Sequence, residues 1–313
     1  MHSERPRDLG LEYGPYLPFF SKKFPECNSS EQHIPVRYEM KIIILTSSRY
    51  GTASHHLPYL IDSGSCEIRA VILNENTLRD RKRIYKNKIR KVFQIGLLGA
   101  LNGIRMRKWF DQDMADYKRI LEIESICAEY GIPFYKTDSI NSRSTIDLFK
   151  RADADLGISL GNGYIGQKVF SIPKYGMINI HHEILPDFQN AQSVIWQLYF
   201  MSNRTGYTIH KIDKHIDTGE ILYQGSVPMN FMSSLRQTVT KTSVSLLEAS
   251  ANGLLNVLKD FDHYYHNAKP QGQGRSFTTP TIWQYFRILR NFKELKKGSA
   301  QQGVPATGAD VVK

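Results

Sequence analysis

Apolar positions in this chain fall into short unbroken runs, separated by stretches of helical period. Lys41-Ile42-Ile43-Ile44-Leu45-Thr46 is apolar without alternation, the pattern of a strand covered on both faces. Further strands are expected at Glu67 to Leu73, Ile132 to Tyr135 and Asp155 to Leu160. Helical patterns fall between them, through His56, Leu57, Leu60 and Ile61, from Tyr117 to Tyr130, and from Ser144 to Arg151. Strand and helix in alternation predict an α/β fold. Its expected form is a Rossmann-like, mostly parallel sheet flanked by helices, with the site at the carboxyl edge of the strands.

The second half continues the pattern with a change of rhythm. Gly176 to Ile180 predicts a short buried strand, whose period of two puts Asn179 and His181 on one side and His182 on the other. Leu185-Pro186 ends regular structure, because proline lacks the amide hydrogen and restricts its predecessor. A helix is expected from Ala191 to Tyr199. Tyr207, Ile209 and Ile212 then alternate imperfectly with Thr208, His210 and Lys211, and Ile221-Leu222-Tyr223 follows Asp217-Thr218-Gly219. That predicts two strands joined by a loop carrying Asp217. After Met229 come a long helical pattern from Leu235 to Phe261, a polar link from Asn267 to Arg275, and a basic helix from Thr281 to Leu295.

The candidate chemistry lies here. Asn179, His181 and Asp217 place an amide, an imidazole and a carboxylate at the ends of neighbouring apolar runs. Taken singly, each has an ordinary explanation as a cap, a satisfied histidine or a turn residue. Together they suit acyl transfer: the Asn179 amide and a protonated His181 can donate to a developing oxyanion, while Asp217 favours the charged imidazole and holds a water for proton relay. His210 is open between a fourth site residue and a brace of the strand pair. A zinc site from His181, His182, His210 and Asp217 is disfavoured, because adjacent histidines on a strand diverge and no closely spaced ligand set completes it. A second motif, Gly161-Asn162-Gly163-Tyr164-Ile165-Gly166, has the spacing of a dinucleotide fingerprint and follows an apolar run. That reading needs a substantial helix to aim its dipole at a pyrophosphate, and Ser171-Ile172-Pro173 interrupts it early.

Asn179-x-His181, Leu185-Pro186, Gly206-x-Thr208-x-His210 and Asp217-Thr218-Gly219 occur in the order and approximate spacing of one family's pattern. Over roughly residues 41 to 230 the chain resembles the folate-dependent formyltransferases, which include glycinamide ribonucleotide, methionyl-tRNA and sugar N-formyltransferases. The resemblance implies the formyltransferase fold, 10-formyltetrahydrofolate as formyl donor and no metal. It implies Asn179, His181 and Asp217 as catalytic residues, and Tyr164, Ile165 and Leu185 as borders of the folate pocket. Glu183 departs from the family's usual serine, and Asn190 and Ser193 from a glycine and a proline, so ligand binding is where this chain differs. The tRNA-specific branch carries a further RNA-binding barrel, and the residues after 230 do not supply its strands. The expected reaction is therefore formyl transfer to a small-molecule amine, a phosphorylated or nucleotide-linked amino sugar of polysaccharide synthesis. Two other outcomes stay open: a folate-binding protein that has lost turnover, and a tRNA-type formyltransferase without its barrel.

Charge adds one feature. Between Leu78 and Lys108 lie Arg79, Arg81, Lys82, Arg83, Lys86, Lys88, Arg90, Lys91, Arg105 and Arg107, interleaved with apolar residues. The segment reads as a solvated helical face, a clamp for a phosphorylated acceptor, or a contact with RNA or acidic membrane. The formal net charge of +11 suits acidic substrates; nucleic acid is not the expected partner. No run approaches the roughly twenty apolar residues of a membrane span, and the first residues do not lead into a secretory segment. Cys27, Cys66 and Cys127 show no paired spacing, so a reducing cytoplasm is the expected setting. The expected organisation is an N-terminal extension (1–40), a catalytic domain (41–230), a C-terminal extension (231–297) serving a homodimer contact, and a disordered tail (298–313).

Overall fold

A computed structural model describes residues 40–75, 81–111, 117–190 and 193–301. In chain order the elements are β1 (Lys41–Thr46), α1 (Thr52–Ser63), β2 (Glu67–Asn74), α2 (Arg81–Ile95), α3 (Leu97–Asp111), α4 (Ile123–Glu129), β3 (Phe134–Thr137) and α5 (Arg143–Ala152). They continue with β4 (Leu156–Leu160), α6 (Gln167–Phe170), β5 (Met177–His181), α7 (Ile195–Tyr199), β6 (Arg204–Lys211), β7 (Ile221–Pro228), α8 (Leu235–Lys259), α9 (Phe261–His266) and α10 (Ile282–Gln301).

The strands form one seven-stranded sheet in the order β3-β2-β1-β4-β5-β6-β7. Those from β3 to β5 run parallel, β6 pairs antiparallel with β5, and β7 antiparallel with β6, so that only β6 is reversed. The chain builds outward from β1 to β3 and then returns to place β4 on the other side of β1. That reversal opens a crevice beyond the carboxyl ends of β1 and β4, where an α/β sheet binds its ligands. Side chains tie the crevice together. Asn162 donates to the Leu45 carbonyl at 2.6 Å and to Ser159 Oγ at 3.0 Å, and accepts from Ser47 Oγ at 2.9 Å.

Each face of the sheet has its own core. On one, Ile42 and Ile44 of β1, Ile158 of β4 and Ile178 of β5 pack with Leu57 and Leu60 of α1 and Leu246, Leu254 and Val257 of α8. On the other, Ile43, Leu45, Ala70 and Ile72 pack with Phe149 of α5 and Val169 of α6, and Met177 at the start of β5 belongs to the same cluster. A third core joins Met106 and Trp109 of α3 to Tyr285, Ile288 and Phe292 of α10.

Several element bounds differ from the sequence pattern. β3 starts at Phe134 because Pro133, with no amide hydrogen, lends the ladder only its carbonyl, to Val71. The helix expected from Tyr117 begins at Ile123, whose amide is taken by the Arg49 carbonyl. α10 runs to Gln301, past the expected start of the tail, with the Ser299 hydroxyl on the Lys296 carbonyl. The expected N-terminal extension, apart from Met40, and residues 302–313 lie outside the described residues.

Candidate functional site

Asn179 and His181 leave β5 on one face, and the antiparallel register sets Asn179 opposite His210 and His181 opposite Thr208. Residues opposite each other in such a pair share a face, so four polar side chains of two strands stand together. The loop after β6 then folds back over them. Gly219 lies so close to β6 that a Cβ there would stand 1.8 Å from the Lys211 carbonyl oxygen, and Asp217 takes a left-handed φ of 58°. This return brings the Asp217 carboxylate 3.8 Å from His181 Nδ1 and 3.8 Å from His210 Nε2. With the loop from Gly161 to Ile165, these groups line a cleft of about 380 Å³.

Hydrogen bonds settle which nitrogen does what. Nδ1 of His210 lies 2.8 Å from the Lys211 carbonyl, which only accepts, so Nδ1 carries the proton. Burial pushes the His210 pKa down, against the opposing Lys211 carbonyl and Asp217 carboxylate. In the neutral ring Nε2 is an acceptor, and Asn179 Nδ2 donates to it at 3.2 Å. The orientation of the Asn179 amide is thereby set, with a second N–H left for another acceptor. His181 donates Nε2–H to the Phe188 carbonyl at 3.0 Å, so the nitrogen that faces Asp217 is Nδ1.

The other sequence candidates divide. Tyr164 is half exposed and Ile165 buried, and both line the cleft. Leu185 is buried; its amide donates to Thr208 Oγ1 at 3.0 Å and its carbonyl accepts from Gln224 at 2.7 Å, which places it against β6 and β7 and not in the cleft. Among the three departures, Asn190 and Ser193 line the cleft, the Asn190 amide donating to Asp217 Oδ2 at 3.3 Å and the Ser193 hydroxyl to the His182 carbonyl at 2.6 Å. Glu183 instead points into the interior and accepts from Gln197. Burial pushes its carboxyl pKa well up, only partly opposed by Gln197 and the Val194 backbone. The glycine-rich loop is followed by a helix of four residues, and the Gly166 amide is already held by Asn141 Oδ1 at 2.6 Å, which leaves no helix of useful length for a pyrophosphate.

His182 faces away from His181, as the strand period requires, and reaches Ser250 of α8 at 3.1 Å. The sequence pattern did not point to its neighbours, His55 and His56 of α1. Nor did it single out Asn162 or the Phe188 carbonyl, because nothing in their local sequence marks a contact across the fold. Among the described residues no cluster of His, Cys, Asp and Glu is arranged to hold a metal ion, and no helix is long and apolar enough to cross a membrane.

A family profile described as formyl transferase matches residues 40–258. The chain is similar to methionyl-tRNA formyltransferase from Thermotoga maritima, 27% identical over 161 residues covering 51% of this chain and 50% of that protein. It is similar also to methionyl-tRNA formyltransferase from Kosmotoga olearia, 30% identical over 171 residues and 54% of each. The matched region thus spans about half the length of these curated relatives. Among solved structures it is similar to phosphoribosylglycinamide formyltransferase from Coxiella burnetii, 17% identical, with a TM-score of 0.49 over 76% of this chain and 99% of that one.

Proposed function

The chain belongs to the formyl transferase family, and from that premise we propose that it is an N-formyltransferase. In this reading it moves the formyl group of 10-formyltetrahydrofolate to the amine of a nucleotide-linked amino sugar in polysaccharide synthesis. The observation that carries it is the convergence of Asn179, His181, His210 and Asp217 on one cleft from two strands and a loop.

The residues present suit such a donor. Tyr164 and Ile165 offer an apolar wall to a flat heterocycle, and backbone groups of Gly161 to Gly163 border the same space. As the amine attacks the formyl carbon, negative charge grows on its oxygen, and the unspent N–H of Asn179 donates to it, while His181, whose Nε2 is taken by the Phe188 carbonyl, keeps Nδ1 for the proton transfer. His210, whose pKa burial lowers, holds the Asn179 amide in register. The proton lost by the amine must reach the departing folate nitrogen. His181 Nδ1 and Asp217, too far apart at 3.8 Å for a direct hydrogen bond, suit a relay through one water.

The acceptor assignment draws on the net charge of +11 and on the basic helices α2 and α3, which suit a phosphorylated molecule. Incubation with 10-formyltetrahydrofolate and a panel of nucleotide-linked amino sugars, free amino sugars and initiator tRNA, read by mass spectrometry, tests it. A formyl gain on a nucleotide-linked sugar is expected. A gain on tRNA alone overturns the acceptor, and folate binding without transfer to any acceptor overturns the activity.

A further inference from the structure

Lys91 of α2 and Arg107 of α3 line a second cavity, of about 480 Å³, whose other walls include Phe277, Thr278 and Thr279. It reaches Asn190, the residue whose amide holds Asp217 and which also lines the cleft of Asn179 and His181. The two spaces therefore share Asn190 as a wall, next to the groups assigned to the reaction.

The cations here differ from those at the mouth of β1. That mouth opens on a cavity of about 720 Å³ bordered by Arg49 and Lys118, but Arg49 is paired with Glu75 and Glu122, and Lys118 with Glu248 at 2.8 Å. Lys91 and Arg107 have no acidic partner among the described residues. Burial and the neighbouring Arg107 charge both lower the Lys91 pKa. Lys91 is partly buried and Arg107 exposed, and a partly desolvated charge beside a like charge is unfavourable in itself, a penalty that an anion between them removes. The fold keeps them there. Gly103, one turn before Arg107, lets α3 lie directly on the wall, since a Cβ would stand 2.5 Å from the Thr279 methyl. Phe277 is packed against Trp196 and Phe188, with ring centroids at 4.7 and 5.6 Å, and gives the cavity a fixed aromatic side.

We propose that this cavity is the anion-binding half of the acceptor site. Lys91 and Arg107 hold the diphosphate of a nucleoside diphosphate-linked amine, Phe277 borders its organic part, and the amine passes Asn190 to reach the cleft. The assignment rests on the formyl-transfer reading above and gives it a location.

Titration calorimetry with uridine and thymidine diphosphate tests the location separately from the reaction, in the intact protein and in Lys91→Gln, Arg107→Gln and Arg49→Gln. Affinity should fall about tenfold or more in each of the first two, the loss of one charge-assisted contact, and little in the third. Arg107→Lys should recover part of the loss, and unchanged affinity for 5-formyltetrahydrofolate would show that each variant is folded. Equal nucleotide affinity in all variants, or loss only at Arg49, overturns the location while the acceptor class stands. An intact protein that binds neither nucleotide yet formylates a free amino sugar overturns both.

Discussion

At the scale of single residues, Asp217 is the group on which the proposed chemistry turns, because one carboxylate lies 3.8 Å from both imidazoles. Asp217→Asn keeps the shape and removes the charge, so kcat is expected to fall about 10²- to 10³-fold with little change in the thermal midpoint. Steady-state kinetics beside a melting curve checks this, and normal turnover in a folded variant would remove Asp217 from the mechanism. That Asn179 and His181 share a face was legible in the sequence, since a strand has a period of two. The part taken by His210 was not. It depends on the register that sets His210 opposite Asn179, and a neighbour across a sheet leaves no trace in local spacing.

Among the elements, the loop between β6 and β7 converts two strands into a site. Its return is tight at Gly219, where a Cβ would meet Lys211 backbone, which cannot move aside cheaply. Gly219→Ala is therefore expected to displace the loop and, with it, Asp217. A displacement near 1 Å costs on the order of 10²-fold in rate, and the strain is of order 1–3 kcal/mol in stability. Kinetics and denaturant unfolding of this one variant measure both; wild-type values would mean that the loop does not set the geometry. The basic segment is a second case. Its charges were plain in the sequence, but only the packing of α3 on residues 277–279 puts Lys91 and Arg107 on the wall of one cavity.

On the scale of the whole molecule, burial of titratable groups ties stability to pH. His56 and His182 both reach Ser250 at 3.1 Å, and His55 Nδ1 lies 3.4 Å from His56 Nδ1, so three histidines sit between α1, β5 and α8. Burial lowers His55 to about 4 and His182 to about 3, and His56 well below its ordinary 6.5. The unfolded chain takes up these protons near 6.5 while the folded chain refuses them, so acid favours unfolding. Above that pH both states are neutral and the groups contribute nothing. Below it, each removes about 1.4 kcal/mol per pH unit until its folded value is reached. The melting temperature should fall steadily from pH 6.5 toward 4, and His182→Asn should flatten the slope; a level profile in the wild type would refute the linkage. By itself the sequence determined the α/β class, the main strands, and the shared face of Asn179 and His181, because apolar runs and two-residue alternation are local properties of a chain. Only the tertiary structure decided the strand order, the crevice between β1 and β4, the Asn179–His210 contact, the buried histidines, the removal of Leu185 from the cleft and the meeting of Lys91 with Arg107. All of these are contacts between segments distant in sequence, fixed by which surfaces pack together.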